Sequence, residues 1–63
     1  MGARLMTVSF KFNLGDMVTI KDAKIDGRIT GAMVNVNDGR QYRVEFWHEG
    51  SKRIEVLDEW ELE

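Results

Sequence analysis

The chain has 63 residues, no cysteine and no proline, and its nine Lys/Arg against eleven Asp/Glu give a net charge of −2. One domain is the natural reading of that length, at which folding buries only roughly 60% of the extended-chain surface. Disulfides are excluded, His48 alone cannot complete a zinc cluster, and the charge argues against a general nucleic-acid binder, whose footprint is strongly basic.

Residues 1–7 read as a flexible N-terminal extension and residues 8–63 as the folded domain. The first strand covers Asp16 to Lys21, with Val18 and Ile20 on one side and Met17, Thr19 and Lys21 on the other. The Gly15-Asp16 pair before it makes a turn. Residues Asp22 to Gly27 read as a loop from which Ile25 folds back onto the core. A second strand runs from Arg28 to Val36, and Gly31 inside it marks a bulge or bend. Asn37-Asp38-Gly39-Arg40 is a turn of the tight hairpin kind.

The third strand, Gln41 to Trp47, alternates Tyr42, Val44 and Phe46 against Arg43, Glu45 and Trp47. His48 to Ser51 makes the next turn, and the fourth strand is Lys52 to Leu57. Its Ile54 and Val56 are set against Arg53 and Glu55. Asp58-Glu59 suits a short helical turn, and Trp60 to Leu62 a last short strand. Five short strands without helical periodicity give an all-β barrel.

The expected core is Phe12, Leu14, Val18, Ile20, Ile29, Val34, Val44, Phe46, Ile54, Val56 and Leu62. Phe10, Met17, Met33, Tyr42, Trp47 and Trp60 remain as a surface for self-association, which would help so small a domain. Charge is distributed unevenly: residues 1–44 sum to +3 and residues 45–63 to −5. Complementary faces of this kind can pair between subunits.

Chemistry is sparsely signalled. His48 has Glu49 beside it, but there is no cysteine nucleophile and Ser51 in the same turn has no evident orienting group, and the Asp58, Glu59, Glu61, Glu63 cluster lacks the shaped loop of a calcium site. No glycine pattern cradles a phosphate. No catalytic residue, metal site or cofactor is therefore expected. The candidate binding face is a basic and aromatic set: Arg28, Arg40, Tyr42, Arg43, Trp47, Lys52 and Arg53. Arginine with stacking aromatics grips single strands of nucleic acid, and the same side chains anchor protein interfaces. Cross-strand pairing of Arg43 or Arg53 with Glu45 or Glu55 would make the face a plain solvated one.

The stretch Phe12 to Ile20 resembles the opening of many small SH3-like barrels. Together with Gly27-Arg28-Ile29, Tyr42 to Glu45 and Gly50-Ser51, it is similar at fold level to the plasmid-borne type II dihydrofolate reductases, which assemble as tetramers around a pore. That family's Val-Gln-Ile-Tyr segment is Lys52-Arg53-Ile54-Glu55 here, so the resemblance does not imply reductase activity. Tyr42 to Gly50, followed by Glu59 to Leu62, resembles small SH3-like proteins encoded in phage and prophage genomes. The sequence thus predicts a five-stranded SH3-like barrel acting as a non-enzymatic binding module, whose partner is a protein or a second copy. The alternative is a nucleic-acid-binding barrel using the Arg/aromatic face. No apolar run approaches the ~18 residues of a membrane span, and a cytoplasmic location is expected, the host cytoplasm if phage-encoded.

Overall fold

A computed structural model describes residues 9–37 and 39–63. The N-terminal extension expected over residues 1–7, and Asp38 of the expected Asp-Gly turn, lie outside the described residues. The fold is all-β. Strands β1 (Met17–Ile20), β2 (Ile25–Val34), β3 (Arg40–His48) and β4 (Ser51–Asp58) form one antiparallel sheet in the order β1-β2-β3-β4. A 3-10 turn follows at Glu59–Glu61. Among the described residues no helix is long and apolar enough to cross a membrane.

Turn chemistry sets the register. Gly15, at φ 90°, occupies a turn in which the Asp16 N–H donates to the Asn13 carbonyl at 3.0 Å. The Asp16 carboxylate accepts from the Asn13 N–H at 2.9 Å, which locks the entry to β1. Ile20 pairs directly with Ile25, so the loop is Lys21–Lys24, shorter than expected, and Ile25 to Gly27 belong to β2. Asn35 organises the loop between β2 and β3, its side-chain oxygen accepting from the N–H groups of Asn37 and Gly39. Glu49 and Gly50 both have positive φ, 52° and 77°, and close a two-residue hairpin between His48 and Ser51.

The expected bulge in β2 is present. The β2–β3 register shifts between Ile29 and Gly31, leaving Thr30 as the extra residue. Arg43 fills the irregularity: its guanidinium donates to the Thr30 carbonyl at 2.8 Å and to the Thr30 hydroxyl at 3.1 Å. Gly31 permits this, because a Cβ there would lie 3.2 Å from the guanidinium carbon.

The expected fifth strand is reduced to a bridge. Leu62 bridges Ile20, and Thr19 and Glu63 exchange backbone hydrogen bonds of 2.8 and 3.0 Å. The core is Val18, Ile20, Ile29, Tyr42, Val44, Phe46 and Leu62, with Phe10, Phe12, Ile25 and Leu57 packed against it. Four expected core residues are exposed: Leu14, Val34, Ile54 and Val56. Leu14 sits in the Asn13–Asp16 turn, and the other three lie on the outer side of the sheet or near its open end.

Tyr42 reverses the expectation in the other direction, being 0% exposed. Phe10 and Phe12 meet its ring edge-on at 5.9 and 5.3 Å. Its hydroxyl donates to Glu59 Oε2 at 2.5 Å and accepts from the Lys11 N–H at 3.1 Å. This node ties the segment before β1, the centre of the sheet and the 3-10 turn together. Burial, then the bond to Glu59, pushes the Tyr42 hydroxyl above its ordinary pKa. Glu59 is held below the ordinary carboxylate value chiefly by the Tyr42 hydroxyl, with the Lys11 N–H and the charges of Arg40 and Lys11 acting in the same direction.

Candidate interaction face

Residues directly opposite one another on antiparallel strands share a face. Register therefore sorts the sheet into two sides. Val18, Gly27, Phe46 and Arg53 form one row on the core side. Met17, Arg28, Glu45 and Ile54 form a row on the outer side, flanked on β3–β4 by Trp47–Lys52 and Arg43–Val56. This outer side carries the largest concentration of exposed apolar surface in the sheet. Met17 is 62%, Trp47 67%, Ile54 55% and Val56 52% exposed.

The outer side is not flat. Pairing of β2 with β3 ends at Gly27–Phe46, where β2 continues with β1 and β3 continues with β4. The two hairpins fork there. A depression of about 400 Å³ opens at the fork, lined by Met17, Asp26, Arg28, Glu45 and Trp47 among others. Gly27 lets β2 lie close against β3 at the last pair before the fork, since a Cβ at that position would lie 2.6 Å from Val44 Cγ1 and 3.0 Å from the Glu45 carbonyl oxygen. The rim is charged. Lys52 reaches Glu45 at 3.2 Å, and the Thr19 hydroxyl donates to Asp26 at 2.8 Å.

Of the seven residues singled out from sequence, the structure gathers Arg28, Trp47 and Lys52 at this depression and its edge. Arg43 shares the side but is committed to Thr30. Arg40 donates to the Ser9 carbonyl at 2.9 Å, away from the fork. Tyr42 is in the core, so its expected surface exposure is corrected. Arg53 lies on the opposite side of the sheet, where it lines a second groove of about 300 Å³ with Ile20, Ala23, Ile25, Phe46, His48 and Glu55. Among the described residues the cross-strand ion pair is Lys52–Glu45, in place of the expected pairing of Arg43 or Arg53 with Glu45 or Glu55. Ile54 and Val56, expected in the core from their alternation, belong to this face.

His48 Nε2 sits 3.3 Å from Glu49 Oε1, both side chains being exposed at the hairpin tip. Among the described residues no group of three or more His, Asp or Glu side chains could hold a metal ion. No family model, curated protein or solved structure matches the chain.

Proposed function

We propose that the chain is an SH3-like barrel serving as a non-enzymatic interaction module, and that it docks another protein on the outer side of its sheet. The observation that carries this reading is the placement of Met17, Trp47, Ile54 and Val56, all more than half exposed, on one side beside the fork. Large aromatics at the centre of an apolar patch with a charged rim are the usual anchors of protein interfaces. The bridge from Leu62 to Ile20 supports the barrel reading, because it brings the chain end back onto β1. The resemblance of Tyr42–Gly50 to small phage-encoded proteins supports an accessory role.

Nucleic-acid binding is the weaker reading. It needs arginines and aromatics converging on one surface. Here Tyr42 is buried, Arg43 fills the bulge and Arg53 faces the other way.

Trp47→Ala is the direct test. The side chain is largely solvent-exposed, so unfolding free energy should stay within about 0.5 kcal/mol of wild type. Capture of protein partners from host-cell extract should be lost. A variant that captures the same partners as wild type would mean that the docking surface lies elsewhere.

A further inference from the structure

β4 ends the sheet, and among the described residues it pairs with β3 alone. Its register runs unbroken from His48–Ser51 to Gln41–Asp58, with neither bulge nor proline. An edge of this kind is a template for another strand. We propose that the occupant is a second copy of this chain, paired antiparallel through β4 about a two-fold axis at Ile54.

The hairpin fixes which groups are on offer. A two-residue turn closes on a hydrogen-bonded pair, here His48–Ser51, and such pairs alternate along an antiparallel ladder. Arg53, Glu55 and Leu57 therefore address β3. Lys52, Ile54 and Val56 turn their backbone groups to the free edge. The next position, Asp58, has its N–H occupied by Glu61 Oε2 at 2.8 Å.

Placing Ile54 opposite Ile54 of the second copy uses just those three residues, for about six backbone hydrogen bonds. It also sets Arg53 opposite Glu55 of the second copy, once on each side of the axis. Centring on Lys52 instead puts like charges face to face, and centring on Val56 needs the occupied Asp58 N–H. Centring on Glu55 opposes two carboxylates, and centring on Arg53 opposes two guanidinium groups. Charge and hydrogen bonding thus select one register. The exposure of Ile54 and Val56 in the single chain fits it too, since both gain a cross-strand neighbour. Such a strand pair is smaller than the ~1,200–2,000 Å² of a standard interface, so association is concentration-dependent.

Sedimentation equilibrium from about 10 µM to about 1 mM tests the idea. The mass should rise from 7.3 kDa toward twice that value. Arg53→Glu alone or Glu55→Arg alone should weaken association about tenfold, since each turns two attractive pairs repulsive. The double reversal should restore it. Ile54→Pro, which removes an outward N–H and spares the bonds to β3, should abolish it. Trp47→Ala should leave it unchanged, which separates this edge from the docking face proposed above. A chain that stays at 7.3 kDa throughout overturns the proposal. So does a dimer that ignores the charge reversals but disappears with Trp47→Ala.

Discussion

Tyr42 shows how one hydroxyl can serve three segments. Removing it in Tyr42→Phe leaves the ring packed against Phe10 and Phe12 but takes from Glu59 its shorter donor, leaving the Lys11 N–H at 3.4 Å, and takes from that N–H its nearest acceptor. The expected cost at neutral pH is about 1–2 kcal/mol, the usual toll for a part-buried hydrogen bond with an ionised partner. Its pH dependence follows from the two shifts. Glu59 is lowered from 4.5, so its contribution is complete above that value and is lost as the pH falls through the lower folded value. Tyr42 is raised from 10.0, so its contribution is complete below that value and is lost as the pH rises through the higher folded one. Urea unfolding should therefore show the gap between wild type and Tyr42→Phe widest between these ranges and narrower in acid. Equal stability at neutral pH would show that the node carries no weight. This node was partly legible in the sequence. The alternation that places Val44 and Phe46 inside places Tyr42 inside with them, although the polar tip of a tyrosine also suits a wet surface. Glu59 as its partner was not legible, because seventeen residues separate the two in the chain.

Elements fared differently according to what specifies them. The four strands and the β2 bulge follow from alternation and from Gly31, signals local to the chain. The face of β4 does not. Ile54 and Val56 look like core because they are apolar and alternate, but register is fixed by the turn. Glu49-Gly50 as a two-residue loop sets Phe46 opposite Arg53 and Val44 opposite Glu55, which sends Ile54 and Val56 outward. The same error hid half of the candidate face. The fork between hairpins was illegible for another reason: it depends on β2 leaving β3 at Gly27, a tertiary choice. Gly27→Ala tests that choice, because its Cβ would meet Val44 Cγ1 at 2.6 Å and the Glu45 carbonyl oxygen at 3.0 Å. The backbone oxygen cannot swing aside as a side chain would. Destabilisation of about 1–3 kcal/mol is expected, as for other overpacked sites. A variant as stable as wild type would show that the strands at the fork can separate freely.

At the scale of the whole molecule, the chain end decides whether the sheet acts as a closed unit. Leu62 is 0% exposed and bridges Ile20, and Glu63 exchanges both backbone bonds with Thr19. The same short segment thus supplies a core side chain and the last rung on the free side of β1. The charge imbalance of the sequence is absorbed here: acidic Glu61 and Glu63 lie along β1, bonded through their backbones to Lys21 and Thr19, while basic Lys52 and Arg53 belong to the otherwise acidic C-terminal third. The basic and acidic halves of the chain are interleaved in space rather than set on opposite faces. Leu62→Ala should cost about 2–5 kcal/mol, the range for truncating a buried leucine. That is a large fraction of the stability of any small domain. Amide exchange supplies the sharper measurement. If the chain end closes the fold, the Thr19 amide, donating to the Glu63 carbonyl at 2.8 Å, exchanges only through global unfolding, together with Val44 and Phe46. In Leu62→Ala all three should speed up together. Free exchange at Thr19 in the wild type, with Val44 and Phe46 still protected, would mean that the end frays independently and that the sheet is open on the β1 side.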